Sequence, residues 1–165
     1  MFNNRNHRQM TYIRSVKPYE LDQVYLMGED AWSNGSSTAK YLDECRDSQK
    51  YQRGQFMVLT DGKELLSSLI VYELSEDRLG IGSIATPVKY RNNGYASRLV
   101  SLVTEQAIQA DIFLFSDIAS NFYEQLGFVR LPDHYQAYSD SICMLKTTRL
   151  LETWLKLGLD VPKYF

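Results

Sequence analysis

A short polar loop in the middle of the chain has the residue types that an anion-binding turn requires. Residues 91–94 read Arg-Asn-Asn-Gly, and apolar residues such as Leu99 and Val103 follow them at helical spacing. Asparagine and glycine accept positive φ angles, so the chain can turn sharply here into the start of a helix. Backbone N–H groups at the positive end of a helix bind anions, and a diphosphate is a frequent ligand. The loop therefore predicts a phosphate site formed mainly by backbone N–H groups of residues 92–96.

Such a loop needs a strand before it and a helix after it to hold its backbone in place. Residues 79–86 combine small and β-branched side chains, which predicts a strand with close backbone neighbours. Pro87 lacks an N–H donor and ends regular strand pairing. After the helix, the apolar run 112–116 has the length of a buried strand, and a helical connection predicts that it lies parallel to the first strand.

Two sequence blocks together resemble the GNAT N-acetyltransferase superfamily. The acyl-CoA motif of that family is Gln or Arg, two residues, Gly, one residue, then Gly or Ala, and Arg91, Gly94 and Ala96 occupy its fixed places. The second block, residues 112–128, ends in Tyr-x-x-x-Gly-Phe, like the helix-to-strand turn of the family's cofactor site. Asn92 stands where glycine is common, and it also accepts positive φ. The resemblance covers roughly residues 79–130.

The resemblance implies an α+β (mixed α/β) fold, namely the GNAT acyl-CoA N-acyltransferase fold. The implied central sheet is mostly antiparallel and flanked by helices, with a parallel, splayed pair formed by the fourth and fifth strands. Sequence patterns predict strands at 11–16, 55–60, 65–74, 79–86, 112–116, 128–131 and 141–146. They predict helices at 21–32, 37–48, 94–109 and 119–126, and a last helix that is capped by Thr147 or Thr148 and ends at 157. Residues 50–54 are predicted to form a polar connector.

The resemblance also implies roles for individual residues. The end of the splayed fourth strand would pair with the pantetheine arm of acetyl-CoA, and one of its amides could stabilise an oxyanion. The implied cofactor-binding residues are Ile84, Ala85, Thr86, Arg91, Asn92, Asn93, Gly94, Tyr95, Ala96 and Ser116. Tyr123 is the implied general acid, because a phenol with a pKa of about 10 can protonate a leaving thiolate at neutral pH. Alternatively, Tyr123 only packs against the cofactor, and Ser116 with Asp117 only caps the next helix.

The sequence does not identify a general base or an acceptor pocket. In the family, the first helices and the third strand flank the acceptor cleft, which makes Glu29, Asp30 and Glu73 candidates beside His134 in the long loop 132–140. Each of these groups could equally be an exposed surface residue, and a water chain could act as the base instead. Residues that either line an acceptor pocket or pack in the core are Trp32, Tyr41, Tyr135 and Tyr138.

Composition narrows the class of protein. The 165 residues are 44% hydrophobic with a net charge of −2 and scattered Lys and Arg, so we expect one domain (1–165) and no nucleic-acid partner. The polar segment 1–9 is expected to be disordered, and we predict no signal peptide, membrane span or metal site. Cys45 and Cys143 have no metal or redox spacing, which predicts reduced thiols in a cytoplasmic protein. A homodimer is left open.

These features predict a cytoplasmic N-acetyltransferase that uses acetyl-CoA and acetylates a primary amine by direct attack in a ternary complex. No cysteine lies in either block, which disfavours a covalent acyl-enzyme. The acceptor is a small-molecule or peptide amine that the sequence does not specify. One alternative is a non-catalytic, regulatory acyl-CoA-binding module. Another is a binder of nucleotide phosphates, which the absence of a P-loop Lys-Ser/Thr pair disfavours.

Overall fold

The computed structural model describes residues 10–165, so the predicted disorder of 1–9 lies outside the described residues. A seven-stranded sheet in the order β1-β2-β3-β4-β5-β7-β6 runs through this part of the chain. Its strands are β1 (Tyr12–Ser15), β2 (Gln55–Thr60), β3 (Leu65–Ser75), β4 (Arg78–Ala85), β5 (Asp111–Ser116), β6 (Val129–Arg130) and β7 (Ile142–Lys146). That residues 1–165 form a single domain stays a prediction.

Every neighbouring pair of strands is antiparallel except β4 and β5, which are parallel. The mixed sheet with one parallel pair is the predicted fold, and this prediction is confirmed. A helix between β4 and β5 makes the parallel pairing feasible, because the chain must return to the same end of the sheet. The helices are α1 (Leu21–Leu26), α2 (Glu29–Trp32), α3 (Thr38–Asp47), α4 (Gln49–Arg53), α5 (Tyr95–Gln106), α6 (Asn121–Glu124) and α7 (Leu151–Lys156).

Two hydrophobic clusters, one on each face of the sheet, form the core. On one face, side chains of α1, α3 and α7, including Val24, Tyr41 and Trp154, pack in one cluster. On the other face, Leu99 and Val100 of α5 pack in a second cluster, and both residues are fully buried. The chain thus has the three-layer arrangement in which a sheet is covered by helices on both sides.

The single helix predicted for residues 21–32 is wrong, because the structure has two helices there. Helix α1 ends at Leu26 and α2 begins at Glu29, with Gly28 as the residue that precedes it. A Cβ at position 28 would lie 2.1 Å from Cε3 of Trp32, so only glycine fits beneath that ring. The break therefore lets the Trp32 indole fold back over the chain.

The polar connector predicted for 50–54 is also wrong, because α4 occupies it. Ser48 caps this helix by accepting a hydrogen bond at its Oγ from the Tyr51 N–H (3.3 Å). The predicted cap of the last helix at Thr147 or Thr148 is wrong as well, since Leu150 precedes α7. Thr147 instead donates a 2.6 Å hydrogen bond to the buried Asp111 carboxylate.

Several helices and strands are shorter in the structure than the sequence predicted. Helix α5 stops at Gln106 rather than 109, α6 covers Asn121–Glu124 rather than 119–126, and β6 keeps only Val129–Arg130 of 128–131. Among residues 10–165, the structure contains no helix with the length and apolar character needed to cross a membrane.

Candidate active site

The parallel strands β4 and β5 are hydrogen-bonded only at their beginnings. Pairing joins Arg78–Gly80 to Asp111–Phe113 and then stops. Beyond this point β4 remains paired with β3 as far as Ala85, and β5 remains paired with β7 as far as Ser116. The two strands therefore diverge, and a wedge opens between edges whose backbone groups are not bonded to each other. Unpaired strand edges of this kind can accept an extended ligand as an additional strand.

A bulge in β4 lies in the divergent part. Gly82 pairs with Ile70 and Ala85 pairs with Ser68, so three steps along β4 face two steps along β3. Ser83, inside the bulge, has a φ of 50°, which is rare for a residue with a side chain. Bulges bend a strand and increase its twist, and they are frequent beside active sites. The bulge accounts physically for the separation of β4 from β5.

A first cleft of about 450 Å³ lies in the wedge and will be called the inner cleft. Its floor and walls come from the divergent strands, from α2 and α4, from α6 and from the C-terminal segment. The lining residues used below are Trp32, Lys50, Tyr51, Ser83, Asp117, Tyr123, Tyr164 and Phe165. Aromatic side chains form most of the wall opposite β4, so the inner cleft combines a hydrophobic surface with a few polar groups, as ligand pockets do.

A second cleft of about 540 Å³ adjoins the inner cleft on the side of α5 and will be called the loop cleft. Eight of the ten predicted cofactor-binding residues line it, namely Ile84, Ala85, Thr86, Arg91, Asn92, Gly94, Tyr95 and Ala96. Trp32, Ile84 and Ile118 line both clefts, which makes the two spaces neighbours along one path. Asn93 lines a third cleft of about 720 Å³, which Gly94 and Tyr95 also line, and Ser116 lines neither the inner cleft nor the loop cleft.

The loop before α5 has the backbone conformation that the sequence predicted. Asn92 has a φ of 63° and Gly94 a φ of 76°, and Gly94 immediately precedes the twelve-residue helix α5. The Asn93 side-chain amide donates 3.0 Å hydrogen bonds to the carbonyls of Tyr90 and Arg91 and thereby holds the turn closed. A Cβ at position 94 would have no atom within 4 Å, so open space adjoins the helix start. An anionic group fits both this space and the positive end of α5.

Each of the three guanidinium nitrogens of Arg91 donates one hydrogen bond within the protein, although the side chain is 40% exposed. Its two terminal nitrogens donate 2.8 Å hydrogen bonds to the Asp30 carboxylate, and its Nε donates a 2.9 Å hydrogen bond to the Thr86 carbonyl. The hydrogen bonds from Arg91 hold the pKa of Asp30 below its usual range, so that this carboxylate stays ionised at neutral pH. The guanidinium thus connects the loop to α2 and to the end of β4.

The end of β4 carries further internal hydrogen bonds. Ser67 donates a 2.9 Å hydrogen bond from its Oγ to the Ala85 carbonyl, and its Oγ lies 3.0 Å from Oγ1 of Thr86. The carbonyls of Ala85 and Thr86 therefore each accept one hydrogen bond from a side chain within the protein. No side-chain hydrogen bond to the backbone of Ile84 occurs among residues 10–165, so Ile84 is the residue of the three with most capacity for a ligand.

Tyr123 lies in the wall of the inner cleft at the start of the Gly-Phe turn. Its side chain is buried against Phe122 and Phe128, whose ring centroids are 4.9 and 6.1 Å from its own. Burial, helped by the negative charge of Asp117, raises the pKa of Tyr123 to about 12. The hydroxyl consequently stays protonated at every pH of physiological interest and can act only as a donor of its proton.

Ser116 and the four candidate general bases are absent from the lining of both clefts. Ser116 is buried, and its Oγ donates to the Ile118 carbonyl (2.8 Å) while accepting from the Ile118 N–H (3.3 Å). Its hydroxyl therefore stabilises the turn after β5. It does not cap the next helix as the alternative predicted, because Ser120 directly precedes α6 and no described side chain caps that helix. The candidate bases Glu29, Asp30, Glu73 and His134 do not line either cleft. No group of three or more potential metal-ligating side chains occurs among residues 10–165.

Of the aromatic candidates for an acceptor pocket, only Trp32 lines the clefts. Tyr41 is buried and donates a 3.0 Å hydrogen bond to the Tyr25 carbonyl, which is a packing role. Tyr135 packs 6.1 Å from Trp154, and Tyr138 packs 5.5 Å from Phe115, measured between ring centroids.

Most of the residues that line the inner cleft were not predicted from the sequence. Lys50 and Tyr51 belong to α4, and the signal for this helix was present as Ser48, a favoured capping residue, with Gly54 at the other end. Tyr164 and Phe165 lie in the irregular segment after α7, where Phe165 reaches Gly80 of β4; a Cβ at position 80 would lie 2.4 Å from that ring. No local pattern predicts this long-range contact.

Known proteins share the fold of this chain. The sequence model of the acetyltransferase (GNAT) family matches residues 20–128. The ribosomal-protein-S18-alanine N-acetyltransferase of Escherichia coli has a similar structure, with a TM-score of 0.61 and 18% identity over 86% of this chain and 97% of that one. A chimera of the Vibrio cholerae spermidine N-acetyltransferase with hSSAT has a TM-score of 0.61 and 15% identity, and the match covers 88% of this chain and 98% of that one.

A third similar structure was solved as a complex with coenzyme A. The N-acetylglutamate synthase of Neisseria gonorrhoeae, complexed with coenzyme A and N-acetyl-glutamate, has a TM-score of 0.61 and 16% identity. The match covers 86% of this chain and 36% of the synthase. Identities this low show a shared fold and nothing finer. No curated protein sequence matches the chain significantly.

Proposed function

The chain belongs to the GNAT acetyltransferase family, and we propose that it transfers the acetyl group of acetyl-CoA to the primary amine of a small molecule or peptide. The proposed reaction is direct attack in a ternary complex. Cys143 is fully buried, burial raises its pKa to about 12, and Cys45 is buried as well. Neither thiol lines the two clefts, so neither is in a position to carry an acyl group.

The loop cleft would hold the diphosphate of acetyl-CoA. Backbone N–H groups of residues 92–96 at the start of α5 are the proposed donors, with Gly94 leaving room for the ligand. The pantetheine arm would follow the path from the loop cleft into the inner cleft along Ile84, pairing with the free edge of β4. The similar structure of the gonococcal synthase was complexed with coenzyme A, which supports a ligand of this class.

The chemistry would take place at the base of the wedge. The neutral amine nitrogen attacks the thioester carbonyl carbon and forms the C–N bond, and a backbone amide near the β4 bulge stabilises the oxyanion. The C–S bond then breaks with its electron pair on sulfur, and Tyr123 donates its proton to the thiolate. The proton that the amine loses returns to the phenol through solvent. We propose no side-chain base, because none of the four candidates lines the clefts.

The main structural support for this proposal is the wedge between β4 and β5. The β4–β5 pairing stops after Gly80 and Phe113, and the resulting wedge connects the start of α5, the proposed diphosphate site, with the buried phenol of Tyr123. An extended thioester with a diphosphate at one end has the shape and charge that this path accommodates.

Two measurements test the proposal. Calorimetry should detect acetyl-CoA binding that ATP does not reproduce, and free thiol should be released from acetyl-CoA when a panel of primary amines is added. Absence of acetyl-CoA binding would refute the cofactor assignment. Binding without turnover on any amine of the panel would instead favour the non-catalytic module.

A further inference from the structure

Lys50 places a positive charge in the wall of the inner cleft, away from the proposed phosphate site. It belongs to α4, on the face of the sheet opposite α5, and it lines the inner cleft together with Tyr51 and Tyr164. No residue of the segment 91–97 lines this cleft. The Lys50 charge therefore faces the space that the proposed function leaves for the amine acceptor, and the inference below rests on that proposed function.

No protein carboxylate neutralises Lys50. Its Nζ lies 5.0 Å from the centroid of the Tyr164 ring, and among residues 10–165 no carboxylate oxygen comes within 4.0 Å of it. Residues 1–9 contain neither Asp nor Glu and cannot supply one. In contrast, the more exposed cations Lys40 and Arg46 both form ion pairs with carboxylates.

The half-buried position makes this lack of a partner energetically significant. Burial lowers the pKa of Lys50, and the more distant Asp117 opposes that effect. A cation that has lost part of its hydration gains free energy when an anion enters its surroundings. The Lys50 ammonium is thus better suited to an anionic ligand than to water.

The inner cleft also has a negative side. Asp117 follows β5, is the one carboxylate residue in the described lining, and raises the pKa of Tyr123 by its charge. The anionic Asp117 and the cationic Lys50 of α4 are complementary to a molecule with an amine at one end and a carboxylate at the other. The amine end would then lie beside Tyr123, where the thioester would react.

We propose that Lys50 binds a carboxylate of the acceptor, so that the acetylated molecule is a primary amine that also carries a carboxylate, as an amino acid does. The ammonium donates a charge-assisted hydrogen bond to that carboxylate. Trp32, Tyr51 and Tyr164 provide the hydrophobic surface for the remainder of the acceptor. Lys50 is in this proposal a residue that determines specificity, and it takes no part in bond making.

The first test needs only the wild-type protein. α-, β- and γ-amino acids are compared, each with its amide and with the amine that lacks the carboxyl group, by thiol release from acetyl-CoA. We expect KM for the acids to be lower than for both analogues by about tenfold, equivalent to about 1.4 kcal/mol. The amide is a stringent control, because its amine is less basic and more of it is neutral and reactive at pH 7.

The second test assigns the preference to Lys50. Lys50→Met should raise KM for the acids by about tenfold while leaving KM for the amides unchanged, and Lys50→Arg should restore most of the loss. Lys40→Met, at an exposed lysine on α3, is the matched control and should behave as wild type. Equal KM for acids and amides in the wild type, or an equal effect of Lys50→Met on both, would overturn the proposal.

A third measurement separates this inference from the proposed function. If no amine is acetylated, the proposed function fails, and the binding of N-acetyl-amino acids and their amides to protein saturated with coenzyme A is measured by calorimetry. Tighter binding of the acids that is lost in Lys50→Met would still support the carboxylate site. Equal binding of acids and amides would refute it.

Discussion

The Arg91 guanidinium and the Asp30 carboxylate form a two-point contact, with both N–O distances at 2.8 Å. The contact joins the loop before α5 to α2, whose Trp32 lines both clefts. The third guanidinium nitrogen, Nε, donates a hydrogen bond to the Thr86 carbonyl. The protein therefore fixes the orientation of the guanidinium before any ligand binds. Arg91 is therefore expected to shape the loop, with the backbone N–H groups as the direct phosphate ligands.

The first prediction follows from this contact. Asp30→Asn should weaken acetyl-CoA binding about threefold, since an exposed ion pair contributes on the order of 0.2–1 kcal/mol and here stabilises the loop. Calorimetric titration with acetyl-CoA measures the effect. Asp22→Asn is the matched control, because Asp22 pairs with Arg46 through two hydrogen bonds at similar exposure, away from both clefts. Tighter binding in Asp30→Asn would mean that Asp30 competes with the diphosphate for Arg91, contrary to the role assigned here.

The second prediction concerns Gly94. Gly94→Val should raise the Kd of acetyl-CoA at least about tenfold, because the side chain would fill the open space at the start of α5. Gly35→Val is the matched control, since Gly35 has a φ of 79° against 76° for Gly94 and also has open space around its Cβ position. Both variants should lose on the order of 1–2 kcal/mol of unfolding free energy through backbone strain. Equal Kd values for the two variants would contradict the phosphate assignment.

The third prediction concerns catalysis by Tyr123. Tyr123→Phe should lower kcat about a hundredfold, because a general acid contributes on that order, and should leave the Kd of acetyl-CoA nearly unchanged. Tyr72→Phe is the control, because Tyr72 is also a buried tyrosine whose pKa burial raises to about 12 and it does not line the clefts. Wild-type turnover in Tyr123→Phe would leave Tyr123 with a packing role only.

The pH dependence of turnover follows from the same residue. The Tyr123 pKa of about 12 lies above the ordinary value of about 10, so the native state keeps this proton to higher pH than the unfolded state does. Its stabilising contribution is complete below about pH 10 and is lost as the pH rises from about 10 through about 12. We therefore expect kcat/KM to rise with pH as the acceptor amine loses its proton and to show no decline caused by Tyr123 up to about pH 10. A pH–rate profile that falls between pH 8 and 10 in wild type but not in Tyr123→Phe would contradict this.

The fifth prediction addresses the bulge in β4. Ser83→Val should lower the free energy of unfolding by on the order of 1–2 kcal/mol, since a β-branched residue tolerates the φ of 50° poorly. Ser83→Gly, which accepts this φ, should be as stable as wild type or more stable and should retain acetyl-CoA binding. Urea denaturation and calorimetry check the two statements. If both variants unfold like wild type, the left-handed conformation of Ser83 is not needed for the fold.

The sequence predicted the parts of the site that are continuous along the chain. The positive φ of residues 92 and 94, the helix after them and the Tyr-x-x-x-Gly-Phe turn with Tyr123 all follow from local preferences, and the structure has each of them. Local interactions decide these features, because glycine, asparagine and proline restrict the backbone wherever they occur. Most strands and helices were also predicted from local patterns, whereas the mixed sheet was implied by the resemblance to the GNAT superfamily.

Tertiary structure decided which side chains share a cleft. Lys50 and Tyr164 are far apart in sequence and meet only when α4 and the C-terminal segment pack on the same face of the sheet. Asp30 was a candidate base in the sequence. In the structure its carboxylate accepts a 2.8 Å hydrogen bond from Arg91, which lies 61 residues further along the chain. Sequence alone thus determined the backbone that would bind a diphosphate, because short-range sterics fix it. The acceptor side depends on side chains brought together by long-range packing, which no local pattern encodes.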